Sequence, residues 1–140
     1  EMSGHIFINH DWYGFDDAIF SAVILTKIIS DSNISISKLL NKIPSTHSTP
    51  ELNLNVKEEN KFNMVEKFKS EMEFPNANIN LIDGVRISIG NSWALMRASN
   101  TSPKLVLRFE GDTEDNLNQI RNLFETNFLR IFPDIKLDYD

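Results

Sequence analysis

Ser92-Trp93-Ala94-Leu95-Met96-Arg97-Ala98-Ser99-Asn100-Thr101-Ser102-Pro103-Lys104-Leu105-Val106-Leu107-Arg108-Phe109 sets a polar loop between two apolar runs. Ahead of the loop, Trp93 and Leu95 share a face with Arg97; beyond it, Leu105, Leu107 and Phe109 alternate with Val106 and Arg108. Successive side chains of a strand point to opposite faces, so a period of two on both sides predicts strand, loop, strand. Residues 97–104 carry a guanidinium, an amide, three hydroxyls and an ammonium, all able to donate hydrogen bonds. Arg97 can fork onto two oxygens of a phosphate or carboxylate, and Lys104 adds a point charge. No Asp or Glu occurs from 92 to 109, although the chain as a whole is acidic. This is the chemistry of an anion cradle. It is also the composition of a surface turn whose Ser, Asn and Thr bond their own backbone. The residues alone leave both readings open.

Outward from this stretch, the flanking pattern predicts one small domain. Leu52, Leu54 and Val56 alternate with Glu51, Asn53 and Asn55, as in a half-buried strand. Phe62, Val65, Phe68 and Met72 recur at helical spacing until Pro75, and are read as core. Leu81-Ile82, Asp83-Gly84 and then Val85, Ile87 and Ile89 predict a hairpin, and Gly90-Asn91 turns into the strand carrying Trp93. Asp112 or Thr113 is placed to cap a last helix with Leu117, Ile120, Phe124, Phe128 and Ile131 on one face, ending at Pro133. Strand, helix, four strands, helix with short links favours antiparallel neighbours. The expected class is α+β, an antiparallel sheet with two helices on one face.

Upstream the pattern differs. Ile6, Phe7 and Ile8 suggest a short strand, and a helical pattern runs from Phe15 through Ile29, with Asp16 and Asp17 at its positive end. Its apolar residues cover most of the circumference, which requires burial on more than one side. Ser35 is placed to cap a second helix with Leu39, Leu40 and Ile43. One strand and two helices in residues 1–47 fall short of the roughly 55–65 residues an unstapled domain usually needs. They are expected to be the tail of a larger α/β domain. Residues 48–50 are expected as a hinge within a polar, Pro-closed stretch, and 51–140 as the second domain. The chain opens at Glu1 without an initiator Met, so a fragment of a longer protein is expected.

Composition narrows the function. The 140 residues include ten Phe and are 41% hydrophobic, enough for a core. A net charge of −6 argues against a nucleic-acid partner. No apolar run is long enough to span a bilayer, and no membrane partner is expected. With no Cys there are no disulfides or thiolate metal sites, which suits a reducing, cytoplasmic location. His5, His10 and His47 lack metal-ligand spacing, and no Ser-His-Asp arrangement, P-loop or dinucleotide fingerprint is present.

Two motifs carry a family resemblance. Arg97-Ala98-Ser99-Asn100-Thr101, followed by Pro103, resembles the phosphate-binding loop in the last domain of the α-D-phosphohexomutases. Glu1-Met2-Ser3-Gly4-His5 resembles that family's sugar-binding loop, and Ser48-Thr49-Pro50-Glu51 its interdomain hinge. The phosphomannomutase/phosphoglucomutase branch is indicated by Met2 and Asn100, where glucosamine-phosphate mutases usually carry Gln and Gly.

The resemblance implies a TATA-binding-protein-like fourth domain preceded by the end of the third. It implies that Glu1 and Ser3 bind sugar hydroxyls, that His5 lies near the reacting end, and that Arg97, Ser99, Asn100 and Thr101 grip the non-transferring phosphate, with Lys104 as an extra contact. The implied reaction interconverts hexose 1-phosphate and hexose 6-phosphate through a phosphoserine and a hexose 1,6-bisphosphate. Its active-serine loop and Asp-x-Asp-x-Asp magnesium loop are not in this sequence. The implied partners are therefore hexose phosphates and the missing amino-terminal domains. This chain is expected to bind without catalysing. A phosphoglucosamine mutase fragment and a non-catalytic anion-binding or interaction module remain the rival readings.

Overall fold

The structure, a computed structural model, describes residues 4–139. The chain divides into two compact units, Glu1–Pro44 and Ser45–Asp140.

The first unit contains α1 (Ala18–Asp31) and α2 (Ile36–Leu40). Helix α1 begins at Ala18, later than the pattern suggested, because Asp17 is extended and caps it, accepting the Phe20 N–H at 2.8 Å. The Trp12 indole donates to the other Asp17 oxygen at 3.2 Å and stacks on Phe20 with ring centroids 4.1 Å apart. Asp16 does not serve the helix end; its carboxylate accepts from His5 and from the Ile6 N–H. The Ser35 hydroxyl caps α2, with Ile43 beyond its end. Residues 6–8 form only an isolated bridge, Phe7 to Asp16, since no continuous strand runs beside them among the described residues. Neither helix has a buried residue, and Ile19 is 81% exposed.

The second unit is one antiparallel sheet with two helices. Its elements are β1 (His47–Ser48), β2 (Leu52–Asn55), α3 (Lys61–Glu71), β3 (Asn78–Asn80), β4 (Val85–Ile89), β5 (Ser92–Ala98), β6 (Lys104–Gly111) and α4 (Glu114–Ile131). The order is β1-β6-β5-β4-β3, with β2 also alongside β6. Register explains the two-layer build. Met96 lies opposite Leu107 and Val85, Ala94 opposite Phe109 and Ile87, and Leu54 opposite Leu105. All eight are buried on one face, where α3 adds Val65 and Phe68 and α4 adds Ile120, Phe124, Phe128 and Ile131. The expected α+β sheet with both helices on one face is what forms.

Local differences have local causes. The polar residues His47-Ser48 join the sheet because strand pairing uses backbone groups; they lie opposite Gly111 and Glu110, and the Thr49 N–H reaches the Phe109 carbonyl at 3.0 Å. Leu81 and Ile82 fall outside the hairpin ladder: the Asn80 side chain accepts the Ile82 N–H at 2.9 Å, closing a longer turn, and Ile82 is 91% exposed. The inner face of α3 carries Lys61, not Phe62, which is 55% exposed. Thr113 is the cap of α4, accepting the Asn116 N–H at 3.1 Å. Asp112 instead accepts from the side chains of Asn116 and Asn91, and these bonds hold its carboxyl below the usual range.

Candidate functional site

Strands β5 and β6 end together at the Ala98–Leu105 pair, and residues 99–103 close over their ends. The closure follows from three carbonyls that point back into the unit. Lys104 O accepts the Ser99 N–H at 3.0 Å, Pro103 O accepts the Val56 N–H at 2.9 Å, and Ser102 O accepts the Lys104 N–H at 2.9 Å. The Ser102 carbonyl also accepts from the Lys61 ammonium at 3.2 Å. With these acceptors turned inward, the outer side of the loop is rich in donors. Asn100 and Thr101 are exposed there, Ser102 and Lys104 are half-buried, and Ser99 is buried. The Ser99 hydroxyl accepts the Thr101 N–H at 3.3 Å, so the local turn and a donor-rich surface coexist. An oxygen that accepts one bond still has its own proton to donate.

Arg97 leaves β5 on the face away from the helices, opposite Val106 of β6. The strand alternation puts Lys104 and Arg108 on that same face, together with Arg86 of β4, whose guanidinium lies 4.7 Å from the Trp93 ring centre. Four cations thus gather on one side of the sheet in a chain of net charge −6. An acid also arrives from outside the 92–109 stretch. Asp83 lies with a carboxylate oxygen 4.0 Å from an Arg97 terminal nitrogen, the side chains 76% and 32% exposed. Gly84 allows this approach: its φ is +77°, and a Cβ there would fall on the Met96 carbonyl oxygen and within 2.9 Å of the Arg97 Cα.

Lys61 was invisible to the sequence reading. It is 1% exposed, and its ammonium donates to a Glu58 carboxylate oxygen at 2.6 Å as well as to Ser102. The available signal was phase: 61, 65 and 68 share a helix face, so a lysine there sits among core positions.

The other predicted residues belong to the first unit, except His47, which lies in the second. His5 is exposed, and its Nδ1 bonds the Asp16 carboxylate, which lowers the Asp16 carboxyl below its ordinary value. Glu1, Met2 and Ser3 lie outside the described residues. His10 stands by Asp11 with both side chains almost fully exposed, and His47 is exposed in β1. Among the described residues no three His, Cys, Asp or Glu side chains gather where they could hold a metal ion, so the implied magnesium has no fit here. No helix among them is long and apolar enough to cross a membrane.

Comparison with known proteins bears on the same segments. The family model described as "Phosphoglucomutase/phosphomannomutase, C-terminal domain" matches residues 51–126. A phosphomannomutase/phosphoglucomutase of Pseudomonas putida is 45% identical over 139 residues, covering 99% of this chain and 30% of that protein. A phosphoglucomutase of Neisseria gonorrhoeae is 42% identical over 127 residues, covering 89% and 27%. The crystal structure of a phosphoglucomutase/phosphomannomutase family protein from Burkholderia thailandensis matches with a TM-score of 0.84 at 35% identity, covering 98% of this chain and 29% of that one. The chain spans about 30% of the length of the phosphomannomutase/phosphoglucomutases of two Pseudomonas species that it matches.

Proposed function

The chain belongs to the phosphoglucomutase/phosphomannomutase family, matching its C-terminal domain, and from that premise we propose that it is a substrate-binding part of such a mutase. In this reading Arg97, Ser99, Asn100 and Thr101 bind the phosphate of a hexose phosphate that is not being transferred, and Lys104 adds charge beside them. Glu1 and Ser3 contact sugar hydroxyls, and His5 lies near the reacting end. The observation that carries the phosphate assignment is the orientation of the loop. Its carbonyls of Ser102, Pro103 and Lys104 are tied inward, while a fork donor and a second cation stand on one face at its mouth. A phosphate needs donors and positive charge and is repelled by carbonyl lone pairs, so this polarity suits it.

The proposed whole reaction is the interconversion of hexose 1-phosphate and hexose 6-phosphate through a phosphoserine and a hexose 1,6-bisphosphate. The nucleophilic serine and the magnesium ion would come from other parts of a longer polypeptide. This chain supplies recognition. Phosphoryl transfer depends on positioning and charge stabilisation, and a grip on the remote phosphate contributes the positioning.

The test is a titration of isotope-labelled chain with glucose 1-phosphate and mannose 1-phosphate, followed by backbone amide shifts. Shifts centred on Ser99, Asn100 and Thr101, with weak affinity, are expected. Saturating ligand that leaves those amides unmoved overturns the assignment.

A further inference from the structure

We propose that Lys61 is a positioning residue for the 97–104 loop, an inference that rests on the phosphate-binding role of that loop. Its task is to keep the Ser102 carbonyl turned away from the anion. The side chain is 1% exposed, and its ammonium reaches across 41 residues of sequence to donate to Ser102 O at 3.2 Å. The same oxygen accepts the Lys104 N–H at 2.9 Å, so both of its lone pairs are engaged.

Lysine is an expensive choice at this position. Burying an ammonium costs free energy even when it is paired, and an apolar side chain of similar volume is often as stable or more so. Lys61 is also the first residue of α3, where the helix dipole disfavours a cation. Its acidic partner Glu58 is 63% exposed at the side chain, so solvent screens that pair. Fold stability alone therefore does not account for a lysine here. A loop that must present donors to an anion does account for it. Without Lys61 the Ser102 carbonyl would be held by the Lys104 N–H alone, leaving it less restrained from turning its lone pairs to where phosphate oxygens approach.

The test compares the wild-type chain with Lys61→Met and Lys61→Arg, measuring phosphate and glucose 1-phosphate affinity by amide shifts and thermal stability by circular dichroism. Methionine matches lysine in length and removes the donor; arginine keeps donor and charge. We expect Lys61→Met to melt close to wild type while binding roughly three- to tenfold more weakly, the value of one hydrogen bond. Lys61→Arg should recover part of the loss. Wild-type affinity in folded Lys61→Met overturns the proposal and leaves the phosphate-binding loop standing. If the wild-type chain shows no shifts at 99–101, the loop assignment itself fails, and this role with it. Should Lys61→Met not fold, Lys61→Gln is read by the same two outcomes.

Discussion

Arg97 combines charge with a planar fork, and the two can be separated by substitution. A hydrogen bond to a charged group is worth about 1.5–3 kcal/mol, or one to two decades in affinity. Arg97→Ala is expected to lose about that much phosphate affinity with the fold intact, because its side chain is 32% exposed and lies on the face away from the core. Arg97→Lys keeps the charge, loses the fork, and should recover only part of the affinity. Calorimetric titration decides, and wild-type affinity in Arg97→Ala would remove the residue from the site. In a full-length mutase the same alanine change should raise KM and lower kcat together, since under the proposed role the remote phosphate would also position the reacting hydroxyl. Asp83 has the opposite sign. Its carboxylate stands 4.0 Å from Arg97, and under the proposed role it would compete with an incoming anion. Asp83→Asn should tighten phosphate binding about two- to fivefold, a modest gain because exposed ion pairs are weak. Weaker binding in Asp83→Asn would mean that the carboxylate orients Arg97 rather than competing.

At the scale of elements, the loop depends on the sheet, and the sheet depends on α4. Phe124 of that helix is fully buried, with ring centroids 5.0 Å from Phe68 of α3 and 5.4 Å from Phe109 of β6. One side chain thus joins both helices to the strand that leaves the loop. Phe124→Ala removes the ring and leaves a cavity among residues too tightly packed to fill it, a loss of about 3–5 kcal/mol. Urea denaturation should show the midpoint falling with little change in slope. A cost below about 1 kcal/mol would mean that the helices collapse onto the sheet without it.

At the scale of the whole molecule the two units differ in what protects them. In Ser45–Asp140, buried residues of four strands and two helices form one cluster. In α1 and α2 none is buried, and Ile19, Val23, Leu25 and Ile28 are more than half exposed. Amide protection follows burial and the free energy of opening. Slow exchange is expected in β5, β6 and α4, and fast exchange throughout α1 and α2. Protection as strong in α1 as in β6 would refute this difference.

The sequence by itself determined whatever rests on neighbours along the chain. Alternation over Trp93, Leu95 and Arg97 and over Leu105, Leu107 and Phe109 specified two strands and a polar loop, because side-chain direction in a strand has a period of two. Helical spacing from Leu117 to Ile131 specified the buried face of α4, and the motifs at residues 1–5 and 97–103 indicated the family. The loop's donors were readable because they are contiguous. Only the tertiary structure decided which distant groups meet them. Asp83 beside Arg97, Lys61 beneath Ser102, Asp16 on His5 and His47-Ser48 along β6 each join residues far apart in sequence. A periodic pattern records which face a residue occupies within its own element. It carries no information about which other element that face will touch, and that is set by packing the whole sheet and its helices at once.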